Sequence, residues 1–265
     1  MSELFFHKGN LWIYNCDFLQ TTVLNPETID LIITSPPYNI GKDYEVINDS
    51  MPYEEYLEFT KKWLGKCYTL LKPDGRLCVN IPFTVQKPEI RHLYLDIAAI
   101  ARDVGYKYHT TIIWYKKWCG RRTAWGSYMS ASAPCVIAPA EVILVYYREQ
   151  WKKMRDGKSD ITGREFREWT AGVWEFTNRQ DLNVAHPAPF PIELPLRCIK
   201  LFSYVDDLIL DPFLGSGTTL IACHLTNRAG IGIEINRAYC ELAVKRLTEK
   251  YSLAQKLDMF SQKTS

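Results

Sequence analysis

A short apolar run that ends in a glycine-rich turn constrains the fold of this chain more than any other feature. Residues 207–211 read Asp-Leu-Ile-Leu-Asp, and Gly215 and Gly217 follow shortly after the run ends. Two closely spaced glycines allow the backbone to turn sharply and to approach a ligand closely. In open α/β folds, turns of this kind leave the carboxyl ends of strands, where ligands bind. We therefore expect a strand, a ligand-binding turn and a helix that begins at Ser216.

Strands and helices are predicted to alternate along most of the chain, because the period of the apolar residues switches repeatedly. Apolar runs typical of strands occupy residues 30–34, 76–81, 109–115, 141–147, 207–211 and 230–234. Amphipathic patterns typical of helices occupy residues 53–71, 88–104, 193–203, a stretch from 216, and 236–250. This alternation predicts a Rossmann-like α/β fold, with a mainly parallel sheet and helices on both faces.

The length of 265 residues accommodates one core with a modest insertion. We expect the core at 1–115 and 186–250, an insertion at 116–185 that includes core strand 141–147, and a flexible tail at 251–265. The eight cysteines are scattered without zinc-site spacing, so we expect reduced thiols and no metal site. No apolar run reaches the roughly 18 residues that span a bilayer, and no signal peptide is evident. We therefore expect a soluble, cytoplasmic protein that does not interact with membranes.

Basic and aromatic residues are concentrated in one part of the chain. Residues 107–180 hold 13 Lys and Arg against 7 Asp and Glu, although the net charge of the whole chain is only +2. The same stretch holds six of the eight tryptophans, which are Trp114, Trp118, Trp125, Trp151, Trp169 and Trp174. Cations neutralise phosphates and aromatic planes stack on bases, so we interpret this stretch as a nucleic-acid-binding region. The candidate DNA contacts are Lys116, Lys117, Arg121, Arg122, Lys152 and Lys153; the alternative for any one residue is a place in the core or on a solvated face.

The glycine-rich turn favours a nucleoside cofactor. Glu234 ends the next predicted strand, where a carboxylate can accept hydrogen bonds from both ribose hydroxyls. A phosphate-binding P-loop would need Lys where Thr218 stands, and a dinucleotide-binding turn would need a third glycine. Asp211 beside the turn suits a positively charged group better than an anionic diphosphate. S-adenosylmethionine, which carries a sulfonium and an amino group, fits this pattern.

A second loop follows the apolar run at 30–34, and its residues Ser35, Pro36, Pro37 and Tyr38 are the candidate catalytic residues. An exocyclic amine on a base is a poor nucleophile, because its lone pair is delocalised into the ring. The Ser35 hydroxyl and the Pro36 carbonyl could each accept one amine hydrogen, while the paired prolines stiffen the loop. Tyr38 could stack on a base that has been flipped out of a duplex. The two loops together predict methyl transfer to the amine of a base.

With these motifs the sequence resembles the DNA amino-methyltransferases, which methylate cytosine N4 or adenine N6. The resemblance covers most of residues 10–250 and rests on Thr34-Ser-Pro-Pro-Tyr38, Asp211-Pro-Phe-Leu-Gly-Ser-Gly-Thr-Thr219 and Gly230-Ile-Gly-Ile-Glu234, in the motif order of the beta group. It implies that Asp17 lies near the cofactor adenine, although Cys16 stands where the family often has Gly. It also implies that the segment containing Phe190 closes the methionine side. The candidate cofactor-binding residues are Asp17, Phe190, Asp211, Pro212, Phe213, Gly215, Ser216, Gly217, Thr218 and Glu234.

The target base and the wider role follow from the resemblance alone. Ser at position 35 favours cytosine N4, and adenine N6 stays open as the alternative. The remaining alternatives are a catalytically inactive DNA-binding relative, an RNA or protein methyltransferase with a similar core, and a cytosine-C5 enzyme built on Pro134 and Cys135. The resemblance implies double-stranded DNA as the partner and a site-specific role, as in restriction–modification. Any cognate endonuclease would be a separate chain, and a homodimer is an open expectation.

Overall fold

The computed structural model describes residues 3–39, 51–83, 91–116, 126–134, 136, 139–177 and 190–262. The strands in these ranges are β1 (Glu3–Lys8), β2 (Leu11–Asn15), β3 (Ile29–Thr34), β4 (Leu71–Pro82), β5 (Lys107–Tyr115), β6 (Ala140–Tyr147), β7 (Val173–Glu175), β8 (Leu208–Asp211) and β9 (Ala229–Glu234). The helices are α1 (Tyr53–Leu70), α2 (Leu93–Val104), α3 (Gly163–Trp169), α4 (Glu193–Phe202), α5 (Thr218–Leu225) and α6 (Arg237–Gln262).

The nine strands form one sheet in the order β1-β2-β9-β8-β3-β4-β6-β5-β7. The five strands from β2 to β4 in this order all run parallel. At one end β1 pairs antiparallel with β2, and toward the other end β6 lies antiparallel between β4 and β5. The short β7 runs parallel to β5. The prediction of a mainly parallel sheet is confirmed for the described part of the chain.

Helices cover both faces of the sheet, and β3 shows how the sequence specifies this arrangement. Every residue of β3 is buried, as expected for a parallel strand with helices on both sides. Leu31 and Ile33 pack in the cluster that contains buried residues of α4, α5 and α6. Ile32, on the opposite face, packs in the cluster formed with α1 and α2. The predicted Rossmann-like α/β fold is therefore confirmed.

The sheet divides the predicted recognition insertion between two opposite edges. Because β6 is antiparallel to both of its neighbours, it begins at the edge where β4 and β5 end. β5 therefore ends, and β6 begins, at the edge where β3 also ends. Residues 148–172 leave the opposite edge, where β3 and β8 begin. The intervening β6, together with α3 and β7, builds sheet and core and does not form a separate lobe.

Several boundaries differ from the predictions. The sequence patterns missed β1, β2, α3 and β7. At the C terminus, α6 continues to Gln262, so the backbone is helical well beyond residue 250, where a flexible tail was expected to begin. In the described ranges, no helix combines the length and the apolar character needed to cross a bilayer.

Candidate active site

Four neighbouring strands end in a row at one edge of the sheet, in the order β2, β9, β8 and β3. Asp17 follows β2, Glu234 and Asp211 are the last residues of β9 and β8, and Ser35 follows β3. Because neighbouring strands lie about 4.8 Å apart, this row spans roughly 14 Å. The sheet therefore brings together the candidate residues of both loops, and the row is long enough for an extended nucleoside whose far end reaches Ser35.

A buried hydrogen bond joins the catalytic loop to the cofactor loop. Thr34 Oγ1 donates to Asp211 Oδ1 at 3.0 Å, and Thr219 Oγ1 donates to Asp211 Oδ2 at 2.6 Å. All three residues are buried. Burial raises the pKa of the Asp211 carboxyl to about 6, although the hydrogen bonds from both hydroxyls and from the Phe213 N–H oppose this shift. Asp211 thus fixes the two loops relative to each other; its predicted role beside a positive charge stays a prediction.

The glycine-rich turn needs both of its glycines. Gly215 and Gly217 have φ angles of 52° and 83°, in the left-handed region that other residues rarely adopt. A Cβ atom on Gly217 would lie only 2.8 Å from the Ala243 Cβ of α6. Gly217 directly precedes α5, which begins at Thr218 and not at Ser216 as predicted. The turn therefore brings the N terminus of α5 close to the strand edge.

Arg246 of α6 braces this turn, and the sequence patterns gave no sign of it. Its Nη1 donates to the Ser216 carbonyl oxygen at 2.6 Å, to Ser216 Oγ at 2.7 Å and to Thr218 Oγ1 at 3.1 Å. The side chains of both predicted cofactor residues are buried and bonded to Arg246. Their proposed contacts with a cofactor are therefore expected to come from the backbone.

Glu234 is hydrogen-bonded to the glycine-rich turn through the Gly215 N–H. Its Oε2 accepts a hydrogen bond from the Gly215 N–H at 2.8 Å, and its Oε1 accepts one from the Asn236 N–H at 2.8 Å. Burial raises the pKa of the Glu234 carboxyl to about 7, while the backbone hydrogen bonds oppose this shift. A carboxylate has about four lone-pair sites, so it can accept two further donors.

The end of β2 is bonded to the end of β9, which places Asp17 one strand away from Glu234. The Cys16 N–H donates to the Glu234 carbonyl at 3.1 Å, and Asn15 Nδ2 donates to the same oxygen at 2.9 Å. Asp17 is half-buried and accepts a hydrogen bond from the Leu19 N–H at 2.8 Å. Cys16 has no left-handed φ, so Cys in place of Gly adds no backbone strain here.

The Ser-Pro-Pro-Tyr loop folds back against the core. Ser35 is half-buried, while Pro36, Pro37 and Tyr38 are buried. The hydroxyls of Ser35 and Tyr38 form a short hydrogen bond. Tyr56 of α1 donates its hydroxyl hydrogen to the Pro37 carbonyl at 3.0 Å and so fixes the middle of the loop. Because the Tyr38 side chain is only 8% exposed, its stacking on a base stays a prediction.

Apolar side chains and a cleft lie beside the glycine-rich turn. Pro212 is buried, and the half-buried Phe213 ring has its centroid 6.1 Å from that of Phe18 and 6.0 Å from that of Phe59. Phe59 also lines a cleft of about 430 Å³, whose lining residues are Leu19, Met51, Glu54, Glu55, Glu58, Phe59 and Lys62. Phe190 is half-buried and packs on the core face that carries α4.

Residues 29–245 match the sequence profile of the N6/N4 DNA methylase family. The chain belongs to this family. The matched range begins at the first residue of β3 and contains both loops. The resemblance drawn from the motifs is therefore confirmed at the level of the N6/N4 DNA methylases.

Curated relatives carry names from the same group of enzymes. The Type II methyltransferase M.MjaVI of Methanocaldococcus jannaschii is 57% identical over 180 residues, covering 67% of this chain and 92% of that protein. The Type II methyltransferase M.HpaI of Haemophilus parainfluenzae is 32% identical over 240 residues, covering 89% and 73%. The DNA adenine methyltransferase YhdJ of Escherichia coli is 27% identical over 231 residues, covering 83% and 76%.

Solved structures of methylases share the fold. A candidate DNA modification methylase from Thermus thermophilus has a TM-score of 0.71 at 28% identity, covering 89% of this chain and 93% of that one. It has also been solved in complex with S-adenosyl-L-methionine, with a TM-score of 0.70 at 25% identity and 88% and 93% coverage. The cytosine-N4-specific PvuII DNA methyltransferase has a TM-score of 0.70 at 20% identity, with 92% coverage of both chains, which shows the fold alone.

The six basic residues predicted to contact DNA have different environments in this methylase. Lys116 directly follows β5 at the same edge as Ser35, where it forms an ion pair with Glu141. Lys117, Arg121 and Arg122 lie outside the described residues. Lys152 is exposed but follows β6 at the opposite edge.

The structure contradicts the prediction for Lys153. Its side chain is only 6% exposed, and its Nζ lies 3.5 Å from Asp207 and 3.8 Å from Asp30. These acidic residues stand where β8 and β3 begin, at the edge opposite the two loops. Lys153 is therefore a buried ion-pair partner at the wrong edge for DNA bound beside Ser35.

Three of the four described tryptophans of residues 107–180 are core residues, which corrects the expectation that they stack on bases and matches the alternative of a place in the core. Trp114, Trp169 and Trp174 are 1%, 5% and 0% exposed. The Arg197 guanidinium packs over the rings of Trp169 and Trp174 at 5.3 and 5.5 Å. Trp151 is half-buried, with the Arg76 guanidinium 4.3 Å from its ring centre. Trp118 and Trp125 lie outside the described residues.

Proposed function

We propose that this chain is a site-specific DNA methyltransferase that transfers a methyl group from S-adenosylmethionine to the exocyclic N4 of a cytosine flipped out of double-stranded DNA. The observation that carries the proposal is the buried hydrogen bond between Thr34 and Asp211, 3.0 Å long. It holds a loop suited to a base amine beside a loop suited to a nucleoside. Transfer between two bound molecules requires such a fixed juxtaposition.

S-adenosylmethionine is the cofactor, and when bound it supplies a methyl carbon made electrophilic by the sulfonium. Glu234 fits the ribose, because its carboxylate accepts two backbone hydrogen bonds and has lone pairs left for two hydroxyls. Asp17, one strand further along, would face the adenine. Gly215 and Gly217 would let the backbone approach the chain that carries the sulfur. The half-buried Phe213 offers an apolar surface between these groups.

Ser35 and the Pro36 carbonyl would hold the amine of the base. Each would accept one amine hydrogen, which leaves the nitrogen lone pair directed at the methyl carbon. The new N–C bond forms as the C–S bond breaks, the thioether product keeps the electron pair of that bond, and the methylated amine loses one proton to water. Tyr38 would contact the base face with the small part of its side chain that is exposed, 8%, while its hydroxyl stays bonded to Ser35.

The choice of cytosine over adenine rests on Ser35. A neutral hydroxyl accepts a hydrogen bond without the negative charge of the Asp that is commoner in adenine-N6 enzymes. The names of similar proteins include a DNA adenine methyltransferase and a cytosine-N4-specific enzyme, so they support both bases. Adenine N6 is accordingly the alternative substrate.

DNA would approach the edge that carries Ser35. Lys116 lies at this edge, where β5 ends and β6 begins, whereas Glu54, Glu55 and Glu58, which line the cleft, would repel phosphates. The Type II relatives support a role in restriction–modification in the cytoplasm of a prokaryotic cell. A cognate endonuclease would then be a separate chain, and a homodimer is part of the same proposal.

Nucleoside mass spectrometry tests the proposal. Unmethylated duplex DNA is incubated with the protein and S-adenosylmethionine carrying a deuterated methyl group, and labelled N4-methylcytosine is the expected product. Labelled N6-methyladenine would establish the alternative base. Label only in RNA or protein, or DNA binding without any transfer, would overturn the proposal. Ser35→Ala is the matched control: kcat is expected to fall roughly hundredfold while cofactor affinity stays near the wild-type value.

A further inference from the structure

We propose that Asn80 and Glu141 are positioning residues, which orient the Ser35 hydroxyl so that its oxygen is free to accept a hydrogen from the target amine. This inference rests on the proposed function. The two residues lie on β4 and β6, where the antiparallel register sets Pro82 opposite Glu141. Neither residue lies in the three motifs on which the resemblance rests. Their contacts, and not their sequence context, connect them to Ser35.

A continuous set of contacts runs from Glu141 to Ser35. Asn80 Nδ2 donates to Glu141 Oε2 at 2.6 Å and to the Tyr38 hydroxyl oxygen at 3.3 Å. The Tyr38 hydroxyl lies 3.3 Å from the main-chain carbonyl oxygen of Asn80 and also forms the short hydrogen bond with Ser35. On its other side, Glu141 is held by the ion pair with Lys116.

The carboxylate of Glu141 sets the direction of these hydrogen bonds. A carboxylate only accepts, so the Asn80 amide must present its nitrogen to Glu141. The second hydrogen of the Asn80 side-chain amide then points to the Tyr38 oxygen. Tyr38 can donate its own hydrogen to the main-chain carbonyl of Asn80. Ser35 completes this pattern when it donates to Tyr38. Its oxygen then keeps both lone pairs for the amine.

The burial of Asn80 supports a functional role for this network. Asn80 is 2% exposed, and its neighbours Val79 and Ile81 are fully buried apolar residues. Within the described residues, its Oδ1 is buried and has no hydrogen-bond partner. An unpaired buried acceptor reduces stability, and a native protein that retains one needs another reason for it. The hydrogen bonds of Nδ2 toward Glu141 and Tyr38 supply that reason.

Asn80→Asp gives the sharpest test, because it makes the network titratable. Above the pKa of the new carboxyl group, its negative charge and that of Glu141 repel each other, and Tyr38 loses its donor. At lower pH the two carboxyl groups share a proton, and one hydrogen bond of the network returns. We expect kcat for DNA methylation to be roughly ten- to hundredfold below wild type at pH 8, and this deficit to shrink severalfold at pH 6. The KM for DNA should stay near the wild-type value.

Two variants of Glu141 separate positioning from folding. Glu141→Gln keeps an acceptor for Asn80 and should retain kcat within about threefold of wild type, whereas Glu141→Leu removes the acceptor and should lower kcat at least about tenfold. Thermal unfolding shows whether each variant is folded. If Glu141→Leu does not fold, Asn80→Asp decides the matter alone.

A double mutant tests whether the network acts through Ser35. In the Ser35→Ala background, Asn80→Asp should change residual kcat less than about twofold. Where the Ser35→Ala turnover is too slow to measure, the pH profile decides. Additive losses in the double mutant, a deficit of Asn80→Asp that does not depend on pH, or wild-type kcat in Glu141→Leu would overturn the inference. A wild-type protein that methylates no DNA would instead refute the proposed function.

Discussion

Lowering the pH from 8 to 6 is expected to weaken cofactor binding about tenfold through one side chain, Glu234. Its carboxyl is buried, and burial raises its pKa to about 7. The ribose hydroxyls donate hydrogen bonds, which the ionised carboxylate accepts better than the protonated acid does. A bound nucleoside therefore favours the ionised form, and affinity falls as the pH falls through about 7.

The magnitude follows from this pKa. With a value of about 7, the ionised fraction falls from about nine-tenths at pH 8 to about one-tenth at pH 6. The dissociation constant of a ligand that needs the ionised form then rises about tenfold. The pKa of Asp211 is about 6, so a ligand that also requires ionised Asp211 has a dissociation constant that rises by a further factor of about two between pH 8 and pH 6. A glutamate with its ordinary pKa would leave affinity almost unchanged between these two pH values.

Isothermal titration calorimetry with S-adenosylhomocysteine at pH 6, 7 and 8 measures this dependence, because the ligand carries the same ribose and avoids turnover. Glu234→Gln is the matched variant. It should bind more weakly at pH 8 and retain at most the roughly twofold dependence expected from Asp211. The reasoning is refuted if wild-type affinity is constant between pH 6 and 8, or if Glu234→Gln keeps the full wild-type slope.

Two further pairs of variants test the structure away from the titrating groups. Gly217→Ala should cost about 1–3 kcal/mol, because φ is 83° and the new Cβ would meet Ala243. Gly65→Ala, in α1 with nothing within 4 Å of its Cβ position, should stabilise by about 0.5–1 kcal/mol. Equal shifts of the melting temperature for these two would contradict this account. Lys153→Ala should lower stability by only about 1 kcal/mol, because Asp30 keeps its ion pair with Lys72 and Asp207 keeps its ion pair with Arg155. Neither Lys153→Ala nor Lys152→Ala should change the salt dependence of DNA binding. If DNA affinity depends less steeply on salt concentration in either variant, the substituted lysine contacts DNA after all.

The parts of the fold that the sequence predicted well have local signals. The strands β3, β8 and β9 are short apolar runs, and the turns that follow the first two carry prolines or glycines. Since parallel strands place such turns at one edge, the two loops could be expected to meet on the strength of the sequence alone. The start of α3 had a local signal too, which was missed: Thr162 and Glu165 form a capping box.

The errors concern residues whose environment is set by distant strand pairing. Trp114 and Trp174 are buried because β5 pairs with β7 in register, with Trp114 opposite Trp174. Lys153 is buried because its segment lies at the edge where β3 and β8 begin, close to Asp30 and Asp207. The sequence shows that tryptophans and lysines occur in the same stretch of chain. It does not show at which edge of the sheet each of these residues lies.

The same dependence on strand pairing explains why the order of the motifs along the chain does not disturb the site. Thr34 and Asp211 are 177 residues apart in sequence, and the acceptor loop comes first. Their strands are nevertheless neighbours, since β3 pairs directly with β8. Any chain order that preserves this pairing brings the two loops together. By contrast, β5 ends and β6 begins at this edge because β6 runs antiparallel to both β4 and β5, and these pairings bring the two ends of the predicted recognition segment to the edge that carries both loops.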